Sequence, residues 1–141
     1  MIKPLQTCLW FDGKAQAAAA FYCSIFPNSS ILHDSGMVVS FEINEQRFMG
    51  LNGGNQFKFN EAVSFVITCE DQQEIDRYWN ELTSNGGEEG QCGWCKDQFG
   101  VSWQVVPAVL GKLMTDPEKG QRVVAAFLKM KKFDIATLEN C

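Results

Sequence analysis

Chemistry-bearing side chains are densest between Gln91 and Pro107, in the stretch QCGWCKDQFGVSWQVVP. It holds the only Cys-x-x-Cys of the chain, Cys92 and Cys95, together with Trp94, Trp103, Ser102 and Gln104. A Cys-x-x-Cys pair carries out thiol–disulfide exchange when it opens a helix, because the helix N-terminus lowers the thiol pKa. Zinc binding needs two further ligands of the same kind. Here Gly93 and Trp94 lead into another strand, no second pair follows and no histidine is near, so a structural role is expected. Ser102 and Gln104 are different in kind. They alternate with Val101, Trp103 and Val105, which puts a hydroxyl and an amide on the opposite face of a half-buried strand. Such neutral groups orient a ligand by hydrogen bonding and supply no nucleophile or general base.

The remaining reactive residues stand alone. His33 is the only histidine, and without a second imidazole or a nucleophile it reads as a surface or structural residue. Glu42 alternates outward from its strand, and Asp97 shapes a turn. Trp10 and Trp94 can wall a pocket for a flat or apolar ligand, whereas Trp103 belongs with the core. A net charge of −5 argues against nucleic-acid binding, which draws its affinity from clustered Lys and Arg. The one basic cluster, Lys129, Lys131 and Lys132, suits a helix C-terminus. An acidic chain favours cationic ligands over anionic ones.

The six cysteines are expected as reduced thiols, since no secretory leader is visible and no staples are needed. Cys8 and Cys69 sit in apolar strand patterns as small hydrophobes. With no apolar run of about 18 residues, membrane insertion is not expected and a cytoplasmic location is.

The elements that must position these groups follow from periodicity. A strand is predicted over Leu5 to Phe11, with Leu5, Leu9 and Phe11 on one face and Gln6, Cys8 and Trp10 on the other. A helix over Lys14 to Phe26, with Asp12 placed to cap it and Pro27 to stop it, repeats apolar residues at Ala18, Phe21, Tyr22 and Ile25. Strands follow at Ser30 to Asp34, Met37 to Ile43 and Arg47 to Asn52, the last two joined by a tight turn at Asn44-Glu45. A linker from Gly54 to Glu61 carries Phe57 and Phe59. The order then recurs about 57 residues on. Val63 to Cys69 is a strand, with Val63 and Phe65 on one side and Ser64 on the other. Asp71 and Glu74 cap a helix with Ile75, Tyr78, Trp79 and Leu82 on its stripe, Asn85-Gly86-Gly87 ends it, and a hairpin follows. Beyond Pro107 comes a helical tail, with a helix opening at Asp116-Pro117, apolar along Val123, Val124, Phe127 and Leu128, and a last one capped by Asp134. The expected fold class is α+β: two βαβββ modules forming a cupped mixed sheet. The chain reads as one domain over 1–141, with modules at about 3–54 and 61–107 and a tail over 108–141 that braces the sheet or a partner.

The strings LWFDG (9–13), FMGLNGG (48–54), QFKFNEAVSF (56–65) and CGWCKDQFGVSWQVVP (92–107), with the tail AAFLKMKKFDIATLE (125–139), resemble the PhnB-like family often labelled 3-demethylubiquinone-9 3-methyltransferase. That family lies within the glyoxalase/bleomycin-resistance/extradiol-dioxygenase (vicinal oxygen chelate) superfamily. The resemblance implies a homodimer and a ligand pocket on the inner sheet face. In superfamily enzymes four inward side chains hold a divalent metal. Matched strand by strand, those positions fall on Gln6, Gly50 or Asn52, Ser64 and Gln104, of which only Gln6 is an accepted ligand type, so no tightly bound metal and no other cofactor are expected. The resemblance thus makes Gln6, Cys8, Trp10, Gly50, Asn52, Ser64, Ser102 and Gln104 the candidate ligand-binding residues. For methyl transfer, the glycine-rich turn of a doubly wound sheet has no counterpart here. Three functions follow: a metal-free binder of a small organic molecule; an enzyme, whether a lyase, isomerase or dioxygenase with an altered metal site or a methyltransferase; or a dimeric scaffold whose pocket is filled by Phe57, Phe59 and Trp94.

Overall fold

A computed structural model describes residues 1–141, which form two compact units, Met1–Phe59 and Asn60–Cys141. In the first, β1 (Thr7–Phe11), α1 (Ala15–Ile25), β2 (Ser30–Asp34), β3 (Val38–Ile43) and β4 (Gln46–Asn52) build a four-stranded sheet ordered β1-β4-β3-β2. β1 runs parallel to β4, and the other pairs are antiparallel. Ala15, Ala18, Ala19, Tyr22 and Ile25 of α1 are buried, and Tyr22 stacks on Phe41 of β3. The small residues bring the helix backbone close to the sheet. The hairpin between β3 and β4 turns through Asn44 and Glu45, at φ of 50° and 71°, both in the left-handed region, as the twist of a two-residue hairpin requires.

Two expectations about this unit change. The first strand starts at Thr7, because its pairing with β4 begins at Thr7 opposite Phe48; Pro4, just upstream, offers no amide to a ladder. Leu5 and Gln6 therefore lie outside the sheet and are exposed. Asp12 does not cap α1. Gly13, at φ +72°, turns the chain, Lys14 occupies the cap position without a side-chain bond, and the Ala15 N–H donates instead to Asn52 Oδ1 at 2.9 Å.

The second unit repeats the plan. β5 (Ser64–Cys69), α2 (Gln72–Thr83), β6 (Glu88–Glu89), β7 (Trp94–Lys96) and β8 (Ser102–Pro107) form a sheet ordered β5-β8-β7-β6, with β5 parallel to β8. Ile75, Tyr78, Trp79 and Leu82 are the buried stripe of α2, over a core of Cys69, Cys95, Trp103 and Val105. Asp71 accepts from the Glu74 N–H, and Glu74 accepts in return from the Glu70 N–H, so the predicted cap forms. Val63, by contrast, precedes the first paired residue of β5 and is exposed.

The tail contains α3 (Leu110–Met114), α4 (Gly120–Phe127) and α5 (Ile135–Glu139). α3 buries no residue and so left no periodic signal. α4 starts later than Asp116-Pro117 suggests, because Asp116 accepts from the Glu118 and Lys119 N–H groups and holds them in a turn. Leu128 lies past the end of α4 and is exposed. Asp134 caps α5 by accepting from the Thr137 N–H. Lys132 pairs with Asp76 on α2 at 2.8 Å. The segment between α4 and α5 is bound to the hairpin: the Cys92 and Gly93 N–H groups donate to the Met130 and Lys131 carbonyls, both at 2.8 Å, and Phe133 packs on Gly93.

Candidate functional site

Each sheet has one face covered by its helix and one face free of it. On the first sheet, pairing of Cys8 with Met49 and Trp10 with Leu51 sets these four on the free face. Cys8 is exposed there, not a small hydrophobe in a core. Trp10 donates from Nε1 to the Gly54 carbonyl at 2.9 Å, and the Phe57 ring meets it edge-on at 4.8 Å. The linker therefore already covers this indole, while Phe59 packs on Phe11.

Gly50 and Asn52, expected on the ligand face, lie on the helix face instead. A Cβ on Gly50 would meet Ala15 Cβ at 3.0 Å, so the glycine is there to admit α1. Asn52 is spent on the same helix. Besides accepting from Ala15, its amide donates to Gln16 Oε1 and to the Gly36 carbonyl.

The second sheet gathers the other candidates. Its register sets Ser64 beside Ser102 and Val66 beside Gln104, with Lys96 and Trp94 opposite Ser102 and Gln104 on the far side of β8. Gln104 Nε2 donates to Ser64 Oγ at 3.0 Å. Ser102 is 1% exposed, and its Oγ has no hydrogen-bond partner. It lines a cavity of about 510 Å³, whose wall includes Glu61, Glu88, Glu89, Trp94 and Lys96. Buried hydroxyls normally find a partner, because desolvation without one is costly.

Charges around the cavity were not legible as a site in the sequence, where Glu61 falls in a linker and Glu88-Glu89 after a helix. Lys96 Nζ lies 3.1 Å from Glu61, and its hydrogen bond is the main reason the Glu61 carboxyl sits below its ordinary pKa. Glu89 accepts from Trp79 Nε1 at 2.7 Å.

The Cys-x-x-Cys also borders the cavity. Burial, with Asp97 and Glu89 adding to it, pushes the Cys95 thiol up to about 12, so it remains a protonated thiol at neutral pH and is no nucleophile. Cys92 stands before β7 at φ 57°, in the turn that receives the tail. Asp97 is buried and shapes its turn as expected: Oδ1 accepts from the Phe99 and Val101 N–H groups and Oδ2 from Trp103 Nε1. His33 is exposed on β2. Glu42 is bound to Arg47 at 2.9 Å.

The residues that the sequence suggested for a metal do not form a transition-metal site. Gln6 precedes the strand, Gly50 and Asn52 lie on the helix face, and Ser64 and Gln104 bond to one another. No three His, Cys, Asp or Glu side chains converge elsewhere.

A family model described as 3-demethylubiquinone-9 3-methyltransferase matches residues 3–106. The PhnB protein of Bacillus cereus is 31% identical, with a TM-score of 0.67 over 75% of this chain and 100% of that one. Protein PA1353 of Pseudomonas aeruginosa is 17% identical, with a TM-score of 0.59 over 75% of this chain and 98% of that one. The fosfomycin resistance protein FosX of Listeria monocytogenes, complexed with Mn(II) and sulfate ion, is 16% identical, with a TM-score of 0.59 over 86% and 98%. The last two likenesses speak to fold alone. No curated protein matches the chain. The match over most of the length, the duplicated βαβββ plan and the kinship with the Bacillus cereus protein agree: this chain belongs to the PhnB-like, 3-demethylubiquinone-9 3-methyltransferase family of glyoxalase-fold proteins.

Proposed function

We propose that this chain binds a small organic molecule on the free face of its second sheet, without a tightly bound metal. The observation that carries this reading is the buried Ser102 hydroxyl, left without a partner at the wall of a cavity large enough for such a ligand. Ser64 and Gln104, already joined, offer the adjoining hydrogen-bonding pair, and the half-buried Trp94 offers an apolar wall. Of the candidates in the first unit, Gln6 lies outside the sheet and Trp10 is covered by Phe57. The metal-free element rests on donor chemistry, since amides and hydroxyls are weak ligands for Mn(II), Fe(II), Ni(II) or Zn(II).

A thermal-shift titration of the metal-stripped protein with those four ions tests that element, because a ligand of the folded state raises the melting temperature. The expected result is no saturable shift. A shift that disappears in Gln6→Ala and Gln104→Ala would overturn it and favour the enzymatic alternative, a metal-dependent lyase, isomerase or dioxygenase. The protein is further proposed to act as a homodimer in the cytoplasm. Edge strand β2 is exposed along its length, Ile31 and Leu32 included, and such an edge calls for cover. All six cysteines are free thiols, and no helix is long and apolar enough to cross a membrane. Sedimentation velocity should return twice the chain mass.

A further inference from the structure

The tripeptide Asn-Gly-Gly occurs twice, at 52–54 and at 85–87, and the fold treats the two copies in opposite ways. An asparagine followed by glycine is open to attack on its own side chain: the glycine nitrogen adds to the asparagine Cγ, and no Cβ on the second residue stands in the way. Ring closure needs a side chain free to swing and a nitrogen free to meet it. Asn52 has neither. Its Oδ1 accepts from the Ala15 N–H at 2.9 Å, and its Nδ2 donates to Gln16 Oε1 and to the Gly36 carbonyl. The Gly53 N–H is spent on the Phe11 carbonyl at 3.0 Å, and the Trp10 ring lies against Gly53. Asn85 and Gly86 are instead the exposed middle pair of a turn closed by the Gly87 N–H donating to the Ser84 carbonyl at 3.1 Å. Their φ values of 53° and 102° are those of a type I′ turn. Such a turn uses the carbonyl of its first residue and the N–H of its fourth, which leaves the N–H of the third over. Neither the Asn85 carboxamide nor the Gly86 N–H has a partner in the protein, and nothing lies within 4 Å of where a Gly86 Cβ would stand.

We propose that Asn85 is a site of spontaneous covalent modification, and that the fold locks Asn52, in the same tripeptide, against it. The Gly86 nitrogen gives up its proton to solvent and bonds to Asn85 Cγ. The Cγ–Nδ2 bond breaks, and the amide nitrogen takes a proton and leaves as ammonia, so a five-membered succinimide closes without any oxidant or reductant. Water then opens the ring. Cleavage at the Cγ carbonyl gives aspartate, and cleavage at the main-chain carbonyl gives isoaspartate, whose backbone runs through Cβ and is one methylene longer. Either product adds a negative charge just beyond the C-terminal end of α2, where the helix dipole is already negative. Isoaspartate also lengthens a two-residue turn whose closing bond depends on its span. That turn hands α2 on to β6, whose Glu88 stands in the cavity wall. The modification is independent of what the cavity binds.

The test incubates the full chain in mildly alkaline buffer, samples it over days and maps the peptides by mass spectrometry. Conversion is read at each Asn-Gly-Gly as the mass gain of an amide turned into an acid, with the isoaspartyl peptide eluting apart from the aspartyl one. In the native protein Asn85 should convert at least about tenfold faster than Asn52, because the hydrogen bonds at Asn52 and Gly53 must break before that ring can close. In urea, where both tripeptides are unfolded and have the same neighbours on the C-terminal side, the two rates should converge. Equal rates in the native protein would overturn the proposal, as would an Asn85 that stays as inert as Asn52 until urea is added. A difference that persists in urea would overturn it too, since its cause would then lie in the local sequence and not in the fold. The separated isoaspartyl form should exchange its Gly87 amide hydrogen faster than the unmodified protein; unchanged exchange would overturn the consequence assigned to the turn.

Discussion

At the scale of single residues, Asp97 separates a structural carboxylate from a catalytic one. Its two oxygens do different work, Oδ1 for two turn amides and Oδ2 for the Trp103 indole. Asp97→Asn keeps the first and sets an amide donor against the indole donor, so it should lower stability by about 1–3 kcal/mol in a urea titration, with Asp97→Ala costing more. Cys95 makes a second prediction. Because its folded pKa lies near 12, above the ordinary 9.0, the native state resists its ionisation; the stability tied to the neutral thiol is intact below about pH 9 and drains away as pH rises toward 12. Alkylation at pH 8 should therefore label exposed Cys8 quickly and reach Cys95 only on unfolding, which mass spectrometry of the labelled peptides can read. From sequence, strand alternation was enough to place Ser64, Ser102 and Gln104 on one face. It could not reveal that Ser102 alone would lack a partner.

At the scale of elements, a strand's alternation says which residues share a face but not which face a helix will cover. β4 shows this. Phe48, Gly50 and Asn52 alternate with Met49 and Leu51, and either set is apolar enough to be the covered one. The outcome turned on Gly50, whose missing side chain admits Ala15, and on Asn52, which caps α1 across 37 residues of sequence. Asn52→Ala should cost about 1–2 kcal/mol and raise the hydrogen-exchange rate of the Ala15 amide. The Cys-x-x-Cys turn is decided in the same way, by what arrives from the tail. Gly93 sits at φ +81° with the Phe133 ring where a Cβ would be. Gly93→Ala should destabilise by about 2 kcal/mol or more, from the left-handed backbone and the displaced ring together, and loosen residues 129–134 in hydrogen exchange. The nearby Lys132–Asp76 pair is half-exposed, so Lys132→Ala should cost under about 1 kcal/mol. Its pH dependence has the opposite direction to that of Cys95. Lys132, with Gln72, holds the Asp76 carboxyl below its usual 3.8, so this stabilisation is present above that value and lost as pH falls through the lowered one.

At the scale of the whole chain, one plan is used twice, with the same strand order and the same parallel pair at the same place in each sheet. The repeat of element order the sequence determined by itself; the strand order and the parallel pair it did not. Local periodicity, the Asp71 and Asp134 caps, the Asn44-Glu45 turn and the repeat of element order are written in residues close to one another, where backbone sterics and hydrogen bonding act directly. The tertiary structure alone decided the rest: the helix face of β4, the cap from Asn52, the docking of the tail on Cys92 and Gly93, and a cavity that joins Glu61 to Lys96 and Ser102 to Trp94. The reason is distance along the chain. Ser64 and Gln104 stand 40 residues apart yet share a hydrogen bond, and such a pairing follows from register, burial and space left by neighbours, none of which a local pattern contains.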